Sequence, residues 1–389
     1  MKILHLCLGA FFPDHYSYQE NLLPKFHREL GYDVEVIASQ EAFDKNGNRC
    51  YLSQSGYYFN EYGIRVHRLN YSFPQKLNHK LKHYKRVYQA ICEISPDIIF
   101  IHNCQFLSIF SVIKYLKNRK IKVYVDNHCD YSNSAGNWIS KNILHKILWK
   151  YCAQKINPYV TKFYGVLPAR VDFLTDLYKL PKEKCELLVM GADDEKVAAA
   201  FRTNARTKIR EKYHIAPNDF LIMTGGKIDA WKTQTLLLMK AVAKIDCPNI
   251  KLIVFGSVVP ELMDQVQALC VNDKVQYIGW IDAADSCDYF SAADLVVFPG
   301  RHSVFWEEVA GMGIPMLCKY WEGTTHVDLG GNVEFLYRDS ADEIQTKIEE
   351  LLNNPEKYEA MQIAAKKGAK YFSYKDIAER CVRDGEKEH

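Results

Sequence analysis

From end to end, short apolar runs of strand length alternate with longer stretches of helical periodicity, and that rhythm confines the chain to parallel α/β architecture. In the first half the runs are Ile3–Leu8, Val34–Ala38, Ile64–Leu69, Ile98–His102, Val123–Asn127, Phe163–Leu167 and Leu187–Met190. Helical spacing fills Tyr18–Leu30 and Lys80–Ile94 between them. In the second half the runs are Phe220–Met223, Lys251–Phe255, Val275–Ile278, Leu295–Phe298 and Pro315–Cys318. Helices are expected over Thr233–Lys244, Glu261–Cys270, Ala284–Ala292, Glu307–Gly311, Ala341–Asn353 and Glu356–Ala369. A polar, helix-prone stretch, Asp193–Tyr213, separates the two series. At 389 residues the chain exceeds one ordinary domain. The expectation is two doubly wound parallel-sheet domains, 1–195 and 196–370, facing across a cleft, with 371–389 as a tail or crossing helix. Ligands of such sheets bind at the carboxyl ends of the strands.

Charge is unevenly divided. Residues 1–190 hold 26 Lys+Arg against 16 Asp+Glu, whereas the remainder holds 24 against 31. The first half therefore favours anionic partners. Twelve cysteines stand singly with no C-x-x-C pair, which points to a reducing compartment and away from a zinc centre. The start, Met1–Leu8, reads as a buried strand rather than a signal peptide, and no run approaches the roughly 20 apolar residues of a membrane span. The expected location is cytoplasmic. The polar end 384–389 is expected to fray.

Two stretches carry chemistry. In the first, strand Phe220–Met223 ends in Gly225-Gly226, followed by Lys227, Trp231 and Lys232 before a helix. Glycines turn the backbone sharply, and two lysines five apart with a helix start form a plausible diphosphate clamp. Taken alone, an ordinary strand–helix connection with solvated lysines explains the same residues. In the second, Ala293-Asp294-Leu295 enters a strand that ends at Pro299-Gly300; Arg301, His302 and Ser303 follow, then Glu307 and Glu308 open a helix closed by Gly313 and Pro315. Carboxylates there accept hydrogen bonds from vicinal sugar hydroxyls, or simply complement the helix dipole.

In this order the stretches resemble the retaining glycosyltransferases of family 4, which have the GT-B fold of two Rossmann-like domains. The family's Gly-Arg-Leu turn with a lysine five residues on is similar to Gly226-Lys227-Ile228 and Lys232; its Ala-Asp-Leu, Pro, Glu and Gly-x-Pro are similar to Ala293-Asp294-Leu295, Pro299, Glu308 and Gly313-Ile314-Pro315. Met190–Asp193, Pro96–His102 and Gly31–Val34 also resemble family segments. The resemblance implies transfer of a sugar from a nucleotide sugar, UDP- rather than GDP-linked, to a saccharide or lipid-linked saccharide, with retention. It implies that Gly226, Lys227 and Lys232 hold the diphosphate, that Glu307, Glu308 and Ser303 contact the donor, and that Gly279, Trp280 and Ile281 line the base pocket. It places His128 near the transferred sugar, with Asp130, Tyr16 and Ser17 toward the acceptor.

Two departures stand out. The first Glu of the family's Glu-x7-Glu is Gly300, leaving His302 as the candidate sugar contact. The family's Gly-Gly in the first loop is replaced by the bulkier Phe12–Gln19. A scaffold that has lost catalysis and a GT-B nucleotide-sugar epimerase therefore remain alternatives. Absence of Asp-x-Asp argues against a metal bridging the diphosphate, and no cofactor is expected beyond the co-substrate. No G-x-G-x-x-G follows the first strand, which disfavours a nicotinamide dehydrogenase. Residues 76–86 and 138–150 interleave lysines with apolar side chains, as a helix on an anionic membrane does. No motif supports nucleic-acid binding.

Overall fold

The computed structural model describes every residue except 44–48, 54, 272 and 384–389, so the expected frayed end lies outside the described residues. The chain divides into two compact units, Met1–Val189 with Ile377–His389, and Met190–Asp376. The terminal helix Tyr374–Val382 thus begins in the second unit and returns to the first.

The first unit is built on strands β1 (Lys2–Cys7), β2 (Asp33–Ala38), β3 (Glu41–Phe43), β4 (Arg49–Tyr51), β5 (Gly56–Phe59), β6 (Arg65–Arg68), β7 (Ile98–His102), β8 (Lys122–Asn127), β9 (Lys162–Gly165) and β10 (Cys185–Leu187). Eight of them form one sheet in the order β10-β9-β8-β7-β1-β2-β6-β5, parallel except for the β5–β6 pair. The short β3–β4 hairpin stands apart. The central strands are buried along their length, which is why they read as continuous apolar runs rather than alternating ones.

The second unit carries β11 (Phe220–Gly225), β12 (Ile250–Phe255), β13 (Val275–Tyr277), β14 (Leu295–Phe298), β15 (Met316–Lys319) and β16 (Val333–Leu336). All pair in parallel in the order β13-β12-β11-β14-β15-β16. The order reverses beside β11, whose neighbours are β12 and β14, and a crevice opens at the carboxyl ends at such a switch point. Helices Gln234–Lys244, Ala341–Asn353 and Pro355–Gly368 pack their Leu238, Ile348 and Met361 on this sheet.

The structure departs from the sequence expectation in definable ways. The helix expected over Lys80–Ile94 is broken into Gln75–Leu81 and Val87–Ile94, because Lys82 and Arg86 take left-handed φ values of 51° and 60°. Strands β3, β4, β5 and β16 were not foreseen; three are hairpin partners with weak periodicity, and β16 is a four-residue edge strand. The run expected at Leu187–Met190 pairs earlier, over Cys185–Leu187.

Candidate functional site

In the second unit the end of β11 is a crowded crossing of backbones. A Cβ on Gly256 would lie 2.0 Å from the Gly226 carbonyl oxygen, and Gly226 itself has φ 132°. Only glycine allows the two turns to touch. Gly226 N–H then donates to Phe255 O at 3.1 Å and Ile228 N–H to Ser257 O at 2.8 Å, so the segment leaves the sheet along the end of β12. Asp229 closes the next turn by accepting from Trp231 N–H and, through its carbonyl, from Lys232 N–H, both at 2.9 Å.

That turn brings cations together. Lys227 is exposed and lies 3.8 Å from Asp229, while Lys232 is partly buried. Burial pushes the Lys232 ammonium below the ordinary lysine range; Asp229 opposes this, and the nearby charges of Arg301 and Lys227 add to it. Arg301 stacks on Trp231, its guanidinium carbon 4.8 Å from the ring centroid. Three cations against one carboxylate leave an excess of positive charge at a strand end. Arg301 had no role in the sequence reading; its signal was only its place two residues after Pro299.

The loop 279–281 sits one strand further along. Gly279 O accepts from Gly256 N–H at 2.8 Å, and Trp280 is 67% exposed, an indole with nothing covering most of it. Ser303 is half-buried, and its carbonyl accepts from Trp306 N–H at 3.0 Å at the start of the helix Phe305–Gly311.

The two glutamates of that helix point to different neighbours. Glu307 is fully buried, and its Oε1 accepts from His302 Nε2 and His326 Nε2, each at 2.7 Å. Burial would raise its pKa, but the two imidazoles outweigh it and draw the carboxyl down to about 2. Glu307 was expected to contact the donor; it has no exposed surface, and its place is instead to hold His302. His302 keeps an 11% exposed side chain and packs edge-on against Trp306. Glu308 lies beside Ser286, Cys287, Asp193 and Lys196, and burial raises its pKa. It does not join the lysine cluster around Asp229. Asp294, part of the matched Ala-Asp-Leu run, is structural: it receives Arg206 at 2.6 Å, Arg210 at 3.2 Å and Leu221 N–H at 2.7 Å.

In the first unit β8 ends in Asp126 and Asn127, and His128 follows. His128 Nε2 lies 3.4 Å from Asp126 Oδ1 and 3.8 Å from Glu20 Oε1, with the side chain 20% exposed. Burial disfavours its cation, yet the charges of Asp126 and Glu20 raise its pKa overall. Asp130 was expected to orient an acceptor. Its Oδ1 instead accepts from Ser132 N–H, Ser132 Oγ and Asn133 N–H at 2.6–3.0 Å, and its Oδ2 from Arg170 Nε at 3.1 Å. That carboxylate is spent on shaping its own loop. Tyr16 stacks on Tyr18 at 5.3 Å, and Tyr16 and Ser17 are half-buried in the loop before the helix Gln19–Glu29.

Two groups bring metal-ligand types within 4.8 Å among the described residues: Glu20, His102 and His128, and His302, Glu307 and His326. In the first, both ring nitrogens of His102 are committed, to His5 and to Asp126. In the second, both Nε2 atoms are spent on Glu307. The first group thus has no ring nitrogen of His102 to spare, whereas in the second Glu307 Oε2 and His326 Nδ1 have no hydrogen-bond partner among the described residues.

Residues 205–368 match the family described as Glycosyl transferases group 1, and residues 19–196 match Glycosyltransferase Family 4. No curated protein sequence matches the chain. Among solved structures, Anabaena HepE in complex with UDP is similar at 16% identity and TM-score 0.67, with 98% of each chain covered. WaaG, a glycosyltransferase involved in lipopolysaccharide biosynthesis, is similar at 15% identity and TM-score 0.65, over 98% of this chain and 100% of that one. The UDP-GlcNAc 2-epimerase from Neisseria meningitidis bound to UDP-GlcNAc follows at 14% identity and TM-score 0.64, with 98% of each covered.

Proposed function

Because the chain belongs to the GT-B glycosyltransferases, we propose that it moves a sugar from a UDP-linked donor to a saccharide or lipid-linked saccharide acceptor with retention of anomeric configuration. The observation that carries this reading is the cation cluster Lys227, Lys232 and Arg301 at the β11 switch point. These groups hold the diphosphate and stabilise charge as its bond to the anomeric carbon breaks, with no metal bridging the phosphates. The acceptor oxygen bonds to that carbon on the same face, and its proton passes to the departing phosphate oxygen. No protein nucleophile is needed, so the enzyme's share is positioning and electrostatics.

His302 takes the sugar-contacting place that the missing carboxylate at Gly300 vacates. Donating through Nε2 to Glu307, it keeps Nδ1 as an acceptor for a sugar hydroxyl. In the first unit, His128 follows the carboxyl end of β8 and is that unit's own candidate for a sugar hydroxyl. The solved structures whose names mention UDP or UDP-sugars support a uridine donor. The test is a thermal-shift screen of UDP- and GDP-sugars, then NMR of the products with the stabilising donor. An α-linked product from an α-linked donor supports the reading. Inverted product refutes retention; C2-epimerised donor without transfer moves the chain to the epimerases; binding with no turnover makes it a scaffold.

A membrane-facing surface completes this reading. Trp138, Ile139, Ile143, Ile147 and Tyr151 are 46–70% exposed, along an i→i+5 bonded helix, Ser140–Trp149, and its ends. Such a helix turns in roughly four to five residues, so positions four apart make one stripe. Lys141, Lys146 and Lys150 lie on the same helix or at its end. An apolar stripe with lysines suits anionic lipid headgroups. The segment 76–86 fits less well: it is broken at Lys82, whose ammonium bonds to Gly9 O. No helix among the described residues is long and apolar enough to cross a membrane.

A further inference from the structure

Four consecutive hydrogen bonds run through the interior of the first unit. His27 Nε2 meets the Ala378 carbonyl at 2.9 Å, His27 Nδ1 meets His5 Nε2 at 3.0 Å, His5 Nδ1 meets His102 Nε2 at 3.0 Å, and His102 Nδ1 meets Asp126 Oδ2 at 2.6 Å. His5, His27, His102 and Asp126 are all fully buried. The far end, Ala378, lies on the terminal helix.

A carbonyl only accepts, so the bond to Ala378 is donated by His27. Four bonds need four protons, and three neutral imidazoles supply three. The chain from His27 to Asp126 therefore holds one proton more than neutral rings beside a carboxylate would. That proton settles at the Asp126 end. Burial pushes His27 down to about 4 and lowers His5 as well, while Asp126 is the one carboxylate among the described residues that is bonded to this row of imidazoles. Asp126 also accepts from Gln19 Nε2 at 3.1 Å and Asn103 N–H at 3.0 Å, an environment that favours its ionised form.

We infer that His5 and His27 are positioning residues whose fixed polarity, imposed by the Ala378 carbonyl, keeps His102 doubly protonated and so neutralises Asp126 beside His128. His128 then titrates against a compensated carboxylate and Glu20 rather than against two free anions. The other groups facing this pair are Cys7 from β1, Cys104 after β7, Arg170 from the helix Pro168–Asp172 and Cys381 from the terminal helix. Of these only Arg170 is a permanent charge, and substitutions at His27 leave it in place.

The inference makes opposite demands on two substitutions of one residue. In His27→Gln the amide donates to Ala378 O and its oxygen accepts from His5 Nε2. Three bonds then join two rings, and the extra proton is still required. In His27→Leu only two bonds remain for two rings, His102 is free to be neutral, and Asp126 is left uncompensated. Side-chain nitrogen or oxygen atoms of His102, His128 and Glu20 lie within 4.8 Å of one another, so losing the His102 charge should raise the His128 midpoint by about one pH unit.

The experiment is NMR of the full chain labelled with 15N-histidine. In the wild type, His5 and His27 should show neutral Nε2–H rings and His102 two protonated nitrogens. The His128 midpoint should be the same in wild type and His27→Gln and higher in His27→Leu. A singly protonated His102 in the wild type, equal midpoints in all three, or a Gln variant that follows Leu overturns the inference. If His27→Leu does not fold, the wild-type ring shifts and the Gln variant still decide it. The inference rests on the proposed transfer only for its consequence, that the alkaline limb of the rate profile follows the His128 midpoint. The ring shifts are read whether or not transfer is found.

Discussion

Replacing Lys232 by alanine should weaken UDP binding and leave uridine binding unchanged. The ammonium is partly buried and crowded by Lys227 and Arg301, with Asp229 as the compensating neighbour. A charge-assisted hydrogen bond to phosphate is worth about 1.5–3 kcal/mol, which is roughly 10- to 150-fold in Kd. Because Lys227 and Arg301 remain, the lower part of that range, about 10- to 30-fold, is expected. The free protein should respond with the opposite sign. Burial, with the two neighbouring cations, holds the Lys232 pKa below 10.5, so the unfolded chain binds the extra proton more readily. A lysine depressed in this way costs stability at neutral pH, and stability recovers as pH rises from the depressed value toward 10.5. The unliganded variant should therefore melt at or above the wild-type temperature at pH 7, with the gap closing under alkaline conditions. Calorimetric titration with UDP and with uridine, plus melting curves of the free proteins, reads all three quantities. Unchanged UDP affinity or equal losses for UDP and uridine would refute the diphosphate assignment, and a clear drop in the free melting temperature would refute the burial cost assigned to Lys232.

Other substitutions separate holding from contacting. Glu307→Gln replaces a buried carboxylate that accepts from two imidazoles, and truncating such a network costs about 3–5 kcal/mol. Its pKa is depressed from 4.5 to about 2, so the wild type's advantage should be full above pH 4.5 and shrink as acid titrates it toward pH 2, in urea melts followed against pH. Asp294→Ala breaks the joint between Arg206, Arg210 and the start of β11, and should lower stability by about 3 kcal/mol while UDP affinity per folded molecule stays constant. Ile147→Asp should abolish flotation with anionic liposomes without altering the melting temperature, since that side chain is 64% exposed; flotation that persists sinks the membrane surface.

Much of the fold was legible because fully buried parallel strands leave unbroken apolar runs. Ile98–His102 and Leu295–Phe298 coincide with β7 and β14 to the residue. What escaped were elements that carry no such signal. β5 alternates half-buried and exposed positions with aromatic residues on both faces, and β16 has only four residues. The broken helix after Lys80 escaped for a different reason. Lys82 and Arg86 adopt left-handed backbone without the glycine or asparagine that usually announces it, held by Asn78 O and by bonds such as Lys85 N–H to Asn70 O.

At the site, the sequence pointed to positions better than to roles. The Gly225–Lys232 turn could be found because glycine is required where Gly226 and Gly256 touch, a steric demand that leaves a visible mark. Glu307 and Asp130 are carboxylates at the expected places, yet each is bonded to a neighbour far along the chain, 19 and 40 residues away, His326 and Arg170. No local pattern distinguishes a carboxylate aimed at a ligand from one aimed at a distant imidazole. The histidine chain shows the same limit more sharply. His5, His27, His102 and Ala378 are scattered over more than 350 residues, and each alone is a core histidine or an ordinary alanine. Their meaning lies in the direction of the bonds, and that direction is set by a backbone carbonyl, which has no letter in the sequence.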